Sequence, residues 1–185
     1  MGERTDLRRL LSAARLAPYE AAAARDGCDA LALYTWNVRI SAAFFEDIHY
    51  VEVGLRNAID ERLQQEFGGA GEWFDVPDLL GSYARRTVAE ARRRARGGVR
   101  PRTHPPHGKT VAELPFGFWW ALLADEYNRT LWQPALCDAF AGPVRRRTLH
   151  QRLDELRRLR NRIAHHEPIH SRDLHADRDL VHDLA

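Results

Sequence analysis

Apolar positions along this chain recur at helical spacing, and no stretch alternates with period two between hairpin-forming dipeptides. The pattern predicts an all-α protein. A short opening helix is expected to end near Pro18. From about Ala30 to Phe67 there is no Pro and the only Gly is Gly54, which predicts one long helix or two nearly continuous ones. Within it Phe44, Ile48, Val51, Leu55 and Ile59 step by three and four residues and form a buried stripe. The run Gly68-Gly69-Ala70-Gly71 ends that helix. One or two helices are expected between Glu72 and Arg96, then a loop at about 97–109, where three Gly and three Pro interrupt the pattern. Thr110 and Glu113 have capping-box spacing for a short turn that Pro115 stops. A tryptophan-rich helix from about Phe118 to Leu131, another from Pro134 to Ala139, and a last strong helix from Val144 or Arg145 to about Ala164 complete the prediction. No internal repeat is visible, so residues 1–185 read as a single helical domain.

Composition changes this picture little. With 44% hydrophobic and 29% charged residues over 185 positions, the chain has the make-up of a folded globular protein. No apolar run approaches the length a bilayer requires, and the N-terminus reads as carrying no secretion signal. The expectation is a cytoplasmic protein without a membrane partner. Cys28 and Cys137 form neither a CxxC pair nor a zinc cluster, and are expected as buried thiols in a reducing compartment.

Charge is more informative in its distribution than in its total of +2. Between Ala84 and Lys109 nine basic residues face one acid, Glu90, and Lys109 is the only lysine in the chain. Arg92, Arg93, Arg94, Arg96, Arg100, Arg102 and Lys109 therefore suggest a flexible phosphate-binding arm. A solvated helix face is the alternative reading of the same run.

Candidate chemistry lies in LRRLRNRIAHHEPIH, from Leu156 to His170. On a helix advancing about 100° per residue, Leu149, Leu153, Leu156 and Ile163 fall within about 80° of each other, and Arg160 lands inside that stripe. An arginine aimed at a core needs a buried carboxylate partner or a functional reason. Asn161 and His165 continue along one side of the helix, so guanidinium, amide and imidazole are offered together. That set suits phosphodiester cleavage without a metal: the guanidinium stabilises a phosphorane, the imidazole moves protons, and the amide orients. The competing reading is structural, with Arg160 in an internal salt bridge and His165 against the helix dipole.

The segments EVGLRNAI, FGFW and LRNRIAHHEPI, in that order, resemble those of the Abi-like proteins, the abortive-infection family within the HEPN superfamily of helical nucleases. Arg160-Asn161-Arg162-Ile163-Ala164-His165 is similar to the R-x4-6-H motif of HEPN ribonucleases. The resemblance extends over most of the chain. It implies a HEPN-like bundle of long antiparallel helices, a homodimer that brings two motifs together, and metal-independent RNA cleavage in phage defence or a toxin system. Arg160, Asn161 and His165 would then be catalytic, no cofactor would be needed, and an RNA or protein antitoxin would be a partner. Two departures stand out. Some HEPN toxins carry a tyrosine two places after the motif histidine, where Glu167 stands here, and the chain ends sooner after the motif than in many relatives. The alternative is a catalytically silent RNA-binding or protein-interaction module of such a system.

Supporting positions are Glu52, Arg56, Asn57 and His166. Glu52 either pairs with Arg56 at i+4, supports Arg160 from another helix, or belongs to an ordinary surface pair. His166-Glu167-Pro168-Ile169-His170 matches the HExxH zinc-protease letters, but Pro168 opposes the helix that would aim both histidines at one ion. No metal site is expected. Phe116, Phe118, Trp119, Trp120 and Trp132 read either as a base-stacking platform or, more simply, as core.

Overall fold

The computed structural model describes residues 7–97 and 105–185, and every regular element among them is helical. Residues 7–10 are helical. There follow α1 (Ala13–Asp26), α2 (Ala30–Phe67), α3 (Ser82–Ala95), α4 (His107–Glu113), α5 (Phe116–Ala121), α6 (Arg146–Ala164) and α7 (Leu174–Leu184). Single turns at Trp73–Asp75, Asp125–Tyr127, Asn128–Trp132 and Leu136–Asp138 connect them. No helix among the described residues is long and apolar enough to cross a membrane.

The chain forms two compact units. The first comprises the described residues of Met1–His49 together with Arg158–Ala185, and the second the described residues of Tyr50–Arg157. Helices α2 and α6 each contribute residues to both.

In the first unit, α1 starts at Ser12, whose side chain accepts from the Arg15 amide at 3.2 Å, and ends at Gly27 in the left-handed region. Pro18 does not end this helix; it lies inside it. The missing Pro18 amide deprives the Ala14 carbonyl of its helical donor, yet both residues are exposed and water can serve that carbonyl. Tyr19, Ala23 and Ala30 pack as one buried cluster with Leu33 and Tyr34 against it. Asp29 caps α2 by accepting from the Ala32 amide at 2.8 Å. The predicted stripe is buried throughout, with Phe44 and Ile48 in this unit and Val51, Leu55 and Ile59 in the second. Helix α7 follows the motif segment and was not foreseen. Its N-cap Asp173 accepts from the Ala176 amide at 3.0 Å, and buried Asp177 takes two donors from Arg172 at 2.5 and 2.7 Å.

In the second unit, α2 ends at Gly68, where a Cβ would lie 2.5 Å from the Gln64 carbonyl oxygen. The Gln64 side chain then closes the turn, donating to Gly71 O at 2.8 Å and accepting from the Trp73 amide at 3.2 Å. Phe116, Phe118, Trp119 and Trp132 are buried, so the core reading of these aromatics holds and the stacking-platform reading fails for them. Half-buried Trp120 stacks on His150 with ring centroids 4.7 Å apart. The predicted helix from Phe118 to Leu131 breaks after Ala121. Arg146 donates to the Leu123 carbonyl at 2.8 Å and to Asp125 at 2.5 Å, giving that carbonyl a partner other than a helical amide. The segment from Pro134 to Ala139 makes only the single turn Leu136–Asp138. Thr110 caps nothing: α4 begins three residues earlier, at His107, and Thr110 is buried within it. Neither cysteine is a fully buried thiol, since Cys28 is exposed and Cys137 half-buried.

Candidate functional site

The motif occupies the C-terminal end of α6, in the first unit. Leu149, Leu153, Leu156, Leu159 and Ile163 are buried. The buried set also includes Leu159, and Arg160 is half-buried. Asn161 is also half-buried, while His165 and His166 are exposed.

How α6 stops determines what these histidines can do. The His165 amide makes a helical bond to Asn161 O at 2.9 Å, His166 N donates to Ile163 O at 3.0 Å, and Glu167 N reaches back to Arg162 O at 2.7 Å. This is a Schellman ending with His166 at its left-handed position, φ +57°. Glycine is the ordinary occupant there. A histidine held in that region carries strain of about 1 kcal/mol.

Side chains fix the turn from several directions. Arg15 donates to the His166 carbonyl at 2.6 Å, and Arg162 donates to the Pro168 carbonyl at 2.7 and 3.3 Å while standing 3.6 Å from Glu167. Asn37, on α2 and only 4% exposed, accepts from the Ile169 and His170 amides at 2.8 and 3.1 Å. The segment following the motif histidine is thus held at two carbonyls and two amides. Neither Arg15 nor Asn37 was singled out from the sequence. Extending the α2 stripe back from Phe44 through Ser41 reaches Asn37, and a buried amide in an apolar seam was the available signal.

His170 packs against Tyr19 with ring centroids 5.1 Å apart, and burial holds its imidazole below the ordinary value, with Arg25 adding repulsion and Asp26 opposing. Burial likewise pushes the Tyr19 phenol up. Because α6 ends at Ala164, the HExxH letters do not lie on a helix, and half-buried His170 packs against a tyrosine instead of facing His166 across one turn. Tyr19, Tyr34, Asn37, Val38, Phe45 and His166 are among the residues lining a cleft of about 430 Å³ beside this turn.

The supporting residues Glu52, Arg56 and Asn57 lie on the part of α2 that belongs to the second unit, the first two half-buried and Asn57 exposed. Arg56 donates to Asn57 at 3.4 Å.

The basic run is organised differently from the expected flexible arm. Arg92, Arg93 and Arg94 are on α3, and acids partner each of them. Arg92 binds Glu72 at 2.5 Å and Asp75 at 2.6 Å with its guanidinium 4.8 Å above the Phe74 ring, and the Asp75 hydrogen bonds raise its already high pKa. Arg93 binds Glu90 at 2.6 Å, and Arg94 binds Glu113 at 3.0 Å and Glu90 at 3.3 Å. Three of these acids, Glu72, Asp75 and Glu113, lie outside the window in which the sequence showed a surplus. Arg96 is half-buried and Lys109 exposed, while Arg100 and Arg102 lie outside the described residues. His107 seals the same cluster, with Nε2 2.9 Å from Asp60 and its ring stacked on Phe74.

No protein-family profile, curated protein or solved structure matches the chain.

Proposed function

We propose that the protein is a metal-independent RNA endonuclease of the HEPN type, acting in phage defence or a toxin system in the cytoplasm, with Arg160, Asn161 and His165 as its catalytic set. The observation that carries this reading is the ending of α6: an exposed imidazole at the end of a helix whose next residues are pinned by Arg15, Arg162 and Asn37. An imidazole carried on a backbone held in this way suits phosphoryl chemistry, because the chain that bears it need not reorganise when charge develops. Strain at His166 also favours a functional role for this turn.

In the proposed reaction the ribose 2′-oxygen attacks its own phosphorus while an imidazole takes the hydroxyl proton. The bond to the 5′ oxygen breaks, and a second imidazole protonates that oxygen as it leaves. The products are a 2′,3′-cyclic phosphate and a 5′-OH. Arg160 stabilises the phosphorane and Asn161 orients it. A homodimer supplies the second His165, and RNA or protein antitoxins are the partners this assignment brings with it. The test is incubation of purified protein with mixed cellular RNA, beside the His165→Ala variant. Cleavage by the wild type alone supports the reading, and equal cleavage by both proteins overturns it.

A second reading, a silent interaction module, is favoured by one feature. Val38 and Phe45 are 50% and 46% exposed on α2, more apolar surface than a solvated helix needs.

A further inference from the structure

The cleft beside the turn contains a polar group without a protein partner. Asn37 is 4% exposed, and its Oδ1 is occupied by the Ile169 and His170 amides. Its Nδ2 has no acceptor within hydrogen-bonding distance among the described residues, and it is not sealed from solvent. Asn37 is one of the residues that line the cleft. A side chain this buried, with two amide donors left over at the wall of a cavity, offers them to an acceptor from outside in place of water.

The remaining lining defines that acceptor. Tyr34 and Phe45 supply aromatic surface, Val38 and Ile163 aliphatic surface, and Ser41 a hydroxyl. None of the described lining residues carries a carboxylate, guanidinium or ammonium group, so the occupant is neutral where it sits. A volume of about 430 Å³ is at the small end of ligand pockets, which suits one flat ring system and not a peptide helix. His166, adjacent in sequence to the motif histidine, is also part of the lining.

We propose that this cleft binds one nucleobase bearing a ring carbonyl, held between aromatic and aliphatic walls, with Asn37 Nδ2 donating to that carbonyl. The identity of the occupant rests on the nuclease reading: the base belongs to a nucleotide beside the cleaved bond, and its phosphate lies outside at the motif. Uracil, cytosine and guanine offer such a carbonyl. Adenine offers only ring nitrogens as acceptors, and with Asn37 Oδ1 already taken by two amides the side chain cannot also accept from the neighbouring amino group, so adenine forgoes the paired contact an asparagine usually makes with it. The site therefore selects by chemistry at one edge of the base.

The test measures binding of uridine and adenosine as free nucleosides, and of uridine- and adenosine-centred short oligonucleotides, to wild type and to Asn37→Asp. In Asn37→Asp the acceptor for the Ile169 and His170 amides is kept while the donors become an acceptor. Wild type is expected to bind uridine about tenfold more tightly than adenosine, both free and within RNA, and Asn37→Asp to lose or invert that preference. Should Asn37→Asp not fold, Phe45→Ala, at a half-exposed position, is expected to weaken both nucleosides together and leave their ratio in place. Equal binding of the two nucleosides by wild type overturns the proposal, as does a preference that Asn37→Asp leaves intact. A cleft closed by self-association, with nucleosides excluded and the dimer lost on Val38→Asp, also overturns it. Base-selective binding without cleavage would sink the nuclease assignment and leave the pocket standing. Cleavage indifferent to base, with no nucleoside bound, would do the reverse.

Discussion

The arginine run of α3 and the histidine turn after α6 use guanidinium groups in opposite ways. On α3, Arg92, Arg93 and Arg94 are matched by Glu72, Asp75, Glu90 and Glu113, so these three guanidinium groups are offset by carboxylates beside them. At the turn, Arg15 and Arg162 donate to backbone carbonyls, with only a longer 3.6 Å approach to Glu167. A carbonyl satisfies a guanidinium without cancelling its charge. Positive potential therefore need not follow the sequence count, and a phosphate would find less competition from carboxylates at the turn than along α3.

The largest effect that would break this comparison is catalytic. Arg160→Ala and His165→Ala are each expected to lower RNA cleavage by about 10² to 10⁴-fold, with helical content unchanged by circular dichroism. Loss of folding in Arg160→Ala would instead return that residue to a structural ion pair. Next is stability. Asn37→Ala strips the acceptor from two backbone amides and is expected to destabilise the protein by about 1–3 kcal/mol in urea titrations. Arg93→Ala, at an exposed pair, should leave the midpoint where it was.

His166→Gly sharpens the contrast from the other direction. Relief of the φ +57° strain is expected to stabilise by about 1 kcal/mol while weakening activity, a trade that a purely structural turn would not show. Neutralising Arg92, Arg93 and Arg94 together should change the slope of log RNA affinity against log salt by less than one phosphate contact, about 0.7 for a single strand. A fall near three times that value would restore the run as an RNA-binding arm.

The smallest effect concerns protons. His170 is held below the ordinary imidazole value of 6.5, so its native state prefers the neutral ring. That contribution to stability is complete above pH 6.5 and is lost as pH falls from there through the lowered native value. His170→Gln should flatten the acid side of the stability profile. His150, also lowered by burial with Arg146 adding to it, should give the same sign in the second unit.

Much of the helical order was legible because it depends on local pattern. The α2 stripe, its glycine stop and the extent of α6 follow from apolar spacing and backbone freedom alone. What escaped depends on partners distant in sequence. Pro18 reads as a stop until the exposure of Ala14 is known, the tryptophan helix reads as continuous until Arg146 meets the Leu123 carbonyl, and the basic run reads as unpaired until acids from outside its window are placed beside it. For the site, the residue types and order of the motif were visible at once. The Schellman turn and its clamp by Arg15 and Asn37 were not, because the clamping side chains come from α1 and α2, more than a hundred residues earlier in the chain.

The central claim is that His165 and Arg160 cut RNA without a metal, and the chemistry of the new ends tests it most directly. Purified protein is incubated with RNA in EDTA, and the termini are read by phosphatase and kinase sensitivity, with His165→Ala alongside. The account predicts 2′,3′-cyclic phosphate and 5′-OH ends from the wild type only. Activity that vanishes in EDTA and returns with zinc, with 5′-phosphate ends, would contradict it.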